Sequence, residues 1–514
     1  MRSPTFFLFC LVIIVAFVIN APAAAQPQCG VVESVAFPVD TSVFRLMQDF
    51  AVPNYRHRGW FHTGEDWWGG RGQSLGQPVR AIANGRVTLS SPIAWGRDGG
   101  VIILEHTFED GTIYYSQYGH LAESDTVTFP RPYTCVSAGE ILGVIAESRP
   151  APHLHFEIRI TNFDLPGPGY TEADPFAEGY RRPSKMLYNW QAHLSPAHLW
   201  YADLIDERGP LSPPVVLSDN SLIYIDTGRV ARLTSDGRVM WRYNLEANGV
   251  TLLPDGDAAI IVYASGRMQR IDINGAPGES WETGIAPDSA PLRNDDTVVF
   301  HTRDGALAGL SADLRTVLWR LADVPPIERW ASSGRVLALV TVEDELLVLS
   351  AVGEVISRQP LNAAASLAVG VDGRLYGTAG GGMFAIDAPY ISGASAASAN
   401  ALLHAADGRV YLFDNGIFTA FDAAQQIVWQ YAVPGLSGAF GMAQYGDILL
   451  LTSTHGFITT VRAGDGALCG TARIYGDDRA QQWQALGADG VLRVAVADQI
   501  IGFDWNELLG ACGG

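Results

Sequence analysis

The chain has 514 residues, 48% of them apolar and 17% charged, a globular composition with material for two to four domains. Its formal net charge of −20 excludes the broadly basic surface that docks on nucleic acid or on an anionic membrane.

Residues 1–25 read as an export signal. Arg2 supplies one positive charge, Phe6 to Ile19 form an apolar core, and Ala23 and Ala25 give the A-x-A pattern that signal peptidases cut. The core is shorter than the roughly 20 apolar residues of a spanning helix, so cleavage is expected rather than a retained anchor. No other stretch is long and apolar enough to span. Four cysteines then remain: Cys29, Cys135, Cys469 and Cys512. In an oxidising compartment Cys29–Cys135 and Cys469–Cys512 are plausible disulfides, one per half, although four cysteines allow three pairings. None lies in a C-x-x-C pair, so no cysteine zinc site is expected.

From about Phe37 to Tyr180, short strand-like runs alternate with glycine turns, and six of the 11 histidines fall here. Three segments stand out: His62-Thr63-Gly64-Glu65-Asp66, Tyr118-Gly119-His120-Leu121, and Pro152-His153-Leu154-His155-Phe156-Glu157-Ile158-Arg159. In the third, histidine, glutamate and arginine alternate with Leu154, Phe156 and Ile158. That period predicts a strand with its apolar face on a core and both histidines on the other face, about 7 Å apart. Neighbouring imidazoles repel when protonated, and a metal that binds the neutral ring removes that repulsion. His62 and Asp66 bracket a glycine and offer two more ligands. With one H-x-H histidine they make a three-ligand set, which leaves a fourth tetrahedral position open for water. An isolated H-x-H or H-x-x-x-D is more often a solvent-facing pair.

Residues 181–212 read as a linker, with Trp190, Trp200 and a proline-rich end. Beyond it the sequence repeats. Apolar runs begin near Leu222, Ala259, Thr297, Arg335, Arg374, Arg409, Ile448 and Val491, 35 to 43 residues apart. Turn signals such as Asp255-Gly256 and Asp489-Gly490 precede many of them. Tryptophan recurs at Trp241, Trp281, Trp319 and Trp429. Units of about 40 residues with short strands and no helix predict a β-propeller over residues 213–514, of seven or eight blades because the eighth unit lacks an obvious last strand. A β-helix or stacked sandwich is the alternative. The expected fold is therefore all-β, an antiparallel sheet domain over residues 26–180 followed by a propeller.

The propeller units resemble pyrroloquinoline-quinone-like repeats, with a glycine turn, a strand closing on Ile-Asp or Phe-Asp, and a following tryptophan. That resemblance implies a shape, not bound quinone, since the adjacent cysteine pair of quinone-dependent dehydrogenases is absent. The first half resembles LytM/lysostaphin-type zinc endopeptidases from Phe37 to Arg159. Besides the three segments, Gly76 to Val87 matches the pattern G-x-x-V-x-A-x-x-x-G-x-V, Val101 to His106 matches the next strand, and Ala138 to Gly143 matches the turn before H-x-H. The resemblance implies zinc (Zn2+) held by His62, Asp66 and His155, with His120 and His153 as catalytic histidines. It further implies an exported hydrolase cutting peptide bonds in peptidoglycan stems or cross-bridges, with the propeller for targeting or regulation through a protein or glycan partner. A non-catalytic wall-binding scaffold or amidase activator is the alternative, and loss of ligands would mark it; none of the five positions is lost. His106 reads as structural, and His57, His193 and His198 as surface or packing residues. Two departures stand out. The loop from Ala146 to Pro152 is short, and Glu65, where the family has an aliphatic residue, is expected to point to water.

Overall fold

A computed structural model describes residues 29–512, except 162–163, 205–211, 227, 295, 333, 335, 361–363, 371–373, 380–381, 386–401, 425, 434–438, 454–455, 475–481 and 497–498. The expected export signal lies outside the described residues. The chain divides into two compact units, Met1–Pro183 and Ser184–Gly514, both built mainly of strands. Among the described residues no helix is long and apolar enough to cross a membrane.

The first unit is organised by a ten-stranded sheet. Its central strand, Leu154–Arg159, pairs antiparallel with Glu65–Trp68 on one side and Ile113–Ala122 on the other. The alternation predicted its inner face: Leu154, Phe156 and Ile158 are fully buried, with Val101, Ile103 and Tyr118. The register then sets His155 opposite both Asp66 and Gly119. A slip of one residue would turn every side chain to the other face, so the apolar triplet also fixes where the histidine points.

The histidine face is covered too, because His155, Glu157 and Arg159 are buried as well. The chain returns over it: Tyr170–Thr171 pairs with Trp60–His62, and a Cβ on Gly167 would lie 2.4 Å from the Glu157 carboxylate. Glu65 is also fully buried rather than pointing to water. It pairs with Phe156, and directly opposed residues share a face. With Asp66 turned toward His155, Glu65 must turn toward the core. His106 is buried between the Asn84 carbonyl oxygen at 2.8 Å and Ser116 Oγ at 2.7 Å. Burial pushes its pKa down to about 4, against the raising effect of the Asn84 bond, which suits a neutral packing residue.

The second unit forms eight antiparallel sheets among the described residues, seven of four strands and one of three. It is a β-propeller. Apolar clusters lie between successive sheets, for example Ile225 with Ile261 and Phe300 with Val262. A further cluster joins Ala495 and Ile500 of the last sheet to Leu222 and Tyr224 of the first, so the series closes on itself.

The stretch read as a linker is partly folded. Pro183–His193 is a helix, and His198–Asp203 is a strand paired with Gln499–Asp504. The last sheet thus takes its fourth strand from the beginning of the unit, which is why the eighth repeat lacks one in sequence.

The tryptophan and glycine periodicities have one cause. Trp241, Trp281 and Trp429 each donate an indole N–H to a carbonyl oxygen 32 to 34 residues ahead, at Ile273, Leu314 and Ala463. A Cβ on Gly275, Gly353 or Gly466 would lie within 3 Å of the rings of Trp241, Trp319 and Trp429 respectively. The indoles of Trp241, Trp319 and Trp429 are thus seated on a glycine turn of the following unit, whereas Trp281 meets the turn at Leu314, a non-glycine residue at φ +59°. Both disulfides, Cys29–Cys135 and Cys469–Cys512, are formed.

Candidate metal centre

Three side chains converge where Glu65–Trp68 meets the central strand. His62 Nε2 lies 3.1 Å from His155 Nδ1 and 3.3 Å from Asp66 Oδ1, and His155 Nδ1 lies 3.0 Å from the same carboxylate oxygen. All three residues are buried, and this is the one His/Asp group among the described residues whose ligand atoms close to metal-binding range, within 4.8 Å of one another.

Hydrogen bonds on the far side of each ring decide which nitrogen faces the site. His62 Nδ1–H donates to the Asp49 carbonyl oxygen at 3.1 Å, and His155 Nε2–H donates to Glu157 Oε1 at 2.9 Å. A carbonyl or carboxylate only accepts, so each anchored nitrogen carries the proton and the opposite nitrogen presents a lone pair. Two lone pairs and a carboxylate oxygen therefore meet about 3 Å apart. Such a set of acceptors is stable only around positive charge, whether a shared proton or a metal ion. The ionisation follows the same logic. Burial alone would push the His155 pKa down, but the Asp66 and Glu157 carboxylates outweigh it and raise it to about 9. Burial would likewise raise Asp66, yet hydrogen bonds from His155 and His62 hold it well below the usual carboxylate range. The donor types, their burial and their outward-anchored far sides fit zinc.

Two further histidines flank this centre. His153 Nδ1–H donates to the Ala151 carbonyl oxygen at 2.7 Å, and its Nε2 lies 3.5 Å from Asp66 Oδ2. His120 Nδ1–H donates to the Asp98 carbonyl oxygen at 2.6 Å, and its ring centroid is 4.5 Å from that of His153. His120 has φ +60°, a left-handed conformation that non-glycine residues adopt at a cost of about 1–3 kcal/mol. Next to it, Gly119 leaves room for the Trp95 ring, which a Cβ would approach to 2.2 Å. Burial, then the neighbouring His153, lowers the His120 pKa to about 4, against the raising effect of the Asp98 bond.

The site opens into a groove of about 520 Å³. Its walls include Trp95, Tyr170, His57, Arg56, Arg149 and Pro150. The short loop before H-x-H thus borders the groove. His57 acts as a packing residue here, its ring stacked on Tyr170 at 3.8 Å between centroids. Tyr170 OH donates to Gln48 Oε1 at 3.1 Å and accepts from Asn54 Nδ2 at 3.2 Å.

All five residues singled out in the sequence are brought together. Missed were Glu157, Trp95, Tyr170 and the Asp49 carbonyl. Glu157 was legible in part, as the next same-face position after His155. Trp95 comes from a turn and Tyr170 from a two-residue strand far along the chain, and a backbone carbonyl leaves no residue-type signal.

Residues 61–165 match the model of peptidase family M23. The match begins one residue before His62 and includes all five residues. Residues 190–366 match the model described as outer membrane protein assembly factor BamB, beginning inside the stretch expected to be a linker. No curated protein matches the chain. Among solved structures, BamB from Moraxella catarrhalis is similar at 17% identity and a TM-score of 0.43, over 60% of this chain and 99% of that one. Sqt1 from Chaetomium thermophilum is similar at 13% identity and 0.45, over 60% and 98%. Sqt1 from Saccharomyces cerevisiae is similar at 11% identity and 0.44, over 60% and 99%. The M23 domain is thus a peptidase-family domain, followed by a propeller with BamB-type repeats.

Proposed function

We propose that the M23 domain is a zinc-dependent endopeptidase that hydrolyses peptide bonds in peptidoglycan stems or cross-bridges, and that the propeller targets or restrains it. The observation that carries the reading is the convergence of the lone pairs of His62 and His155 on Asp66, with His120 and His153 alongside, at one groove. A zinc ion held by His62, Asp66 and His155 would supply Lewis acidity, polarising a carbonyl and lowering the pKa of water to about 7. His120 and His153 each keep their proton on Nδ1 and present Nε2 as an acceptor. An Nε2 acceptor suits each to take a proton from the attacking water and, once protonated, to donate to the developing oxyanion or pass the proton to the leaving amine. The M23 match and the match to an outer membrane assembly factor support an exported protein of the envelope or extracellular space.

Replacing His120 by Ala tests the assignment of roles. Cleavage of soluble muropeptides should fall about 10²–10⁴-fold while zinc content stays at the wild-type level. Zinc lost together with cleavage would make His120 a metal-site residue instead. For the propeller, a chain ending at Pro183 should release soluble muropeptides at about the full-length rate and differ in its retention on whole cell walls. Retention equal to that of the full chain would sink the targeting role.

A further inference from the structure

Behind His155, on the side away from the groove, lies a set of ionisable groups that the proposed chemistry does not use. Glu157 is fully buried and Arg159 is 2% exposed, both on the central strand. A carboxylate and a guanidinium are rarely withdrawn so completely from water without a function or a close set of partners. Their partners run in one direction. Glu157 Oε1 accepts two bonds, from His155 Nε2–H at 2.9 Å and from Thr63 Oγ1–H at 2.7 Å. Its other oxygen accepts none and faces Arg159 Nε at 3.8 Å. Arg159 NH2 in turn donates to Gln117 Oε1 at 2.9 Å and to the Leu165 carbonyl oxygen at 3.1 Å. Gln117 Oε1 also accepts from the Gly167 amide at 2.6 Å, and the Gly167 carbonyl accepts from Trp95 Nε1 at 3.0 Å. The carboxylate is therefore clamped from three sides, with both accepted bonds on the oxygen that meets the imidazole.

We propose that Glu157, charge-balanced by Arg159 and steadied by Thr63, is a positioning residue that fixes the tautomer and orientation of His155. The proposal rests on the zinc reading above. An imidazole held by Nε2–H to a carboxylate has its Nδ1 lone pair pre-set toward Asp66 and His62, and the carboxylate's negative charge makes that lone pair a stronger donor. Without Glu157 the ring is free to flip or to exchange tautomers. Gly64 belongs to the same arrangement, since a Cβ there would come within 3.0 Å of both Glu157 Cγ and His155 Nε2.

The test is the zinc affinity of the purified full chain, read by competition with a chromogenic chelator, so that peptide cleavage does not enter. Glu157→Gln should weaken zinc binding about 10–100-fold. Thr63→Val leaves the charges in place and removes only the 2.7 Å bond, so it should weaken binding about fivefold, the equivalent of roughly 1 kcal/mol. Far-UV circular dichroism and a melting curve establish that each variant is folded. A folded Glu157→Gln protein with wild-type affinity overturns the proposal. If Glu157→Gln does not fold, Thr63→Val decides: a loss supports the positioning role and wild-type affinity overturns it. A wild-type protein that takes up no zinc overturns the zinc reading and this inference with it, whereas zinc in the wild type with equal affinity in the variants overturns the inference alone.

Discussion

His155→Ala should empty the metal centre and end peptide cleavage together. The residue supplies one of three converging ligand atoms, and its ring is fixed on the far side by Glu157. Removing it leaves His62 and Asp66 with two donors and an unfilled volume. Zinc affinity should fall by more than about 100-fold, since loss of a group that merely orients a ligand already costs about 10–100-fold. Under ordinary dialysis the measured zinc per chain should drop from about one to near zero, and muropeptide release should drop below detection. His153→Ala gives the informative contrast. Its Nε2 stands 3.5 Å from Asp66 Oδ2, outside the three-ligand set, so that variant should keep zinc and still lose most of its cleavage. Equal zinc loss in both variants would contradict this division of roles.

The largest stability effect is expected at Trp200. Its indole is sandwiched between two glycines: a Cβ on Gly502 would lie 2.3 Å from the ring and one on Gly237 2.4 Å from it. Gly502 is on the paired strand of the last sheet, and Gly237 is in the first sheet's turn. Trp200 therefore occupies the indole position that Trp241 and Trp429 fill elsewhere, but at the seam where the two ends of the propeller meet. Truncating a partly buried tryptophan to alanine costs about 3 kcal/mol, and here the loss loosens an edge strand that no loop ties to its neighbour. The urea midpoint of the propeller transition in Trp200→Ala should drop by the equivalent of about 3 kcal/mol, with the M23 domain's transition unmoved. An unchanged propeller midpoint would mean that the strand His198–Asp203 does not close the ring.

Both domains were readable from the chain because their signals are local and periodic. The alternation through Leu154, Phe156 and Ile158 specified the central strand, and the spacing of Trp241, Trp281 and Trp319 specified stacked units. What local patterning could not carry was the partner of each element. His198–Asp203 reads as linker because its pairing strand lies almost 300 residues later, although Trp200 bears the same residue type as the other indole positions. The same limit applied to Glu65. Its burial follows from the Asp66–His155 register, which appears only once the strands are paired. At the candidate metal centre, the order of motifs shared with a peptidase family pointed to His62, Asp66 and His155, which spacing alone did not single out, and Glu157 was within reach of the H-x-H alternation. The Asp49, Asp98 and Ala151 carbonyls that orient three of the histidines are backbone atoms, and no side chain marks them.

The most direct test of the account is the metal content of the full-length protein, purified without added zinc or chelator and measured by elemental mass spectrometry, alongside its release of muropeptides from purified cell walls. The account predicts about one zinc per chain together with peptide release. A protein that holds no metal and cuts no wall, yet still binds wall fragments, would contradict it and leave a scaffold built on a peptidase fold.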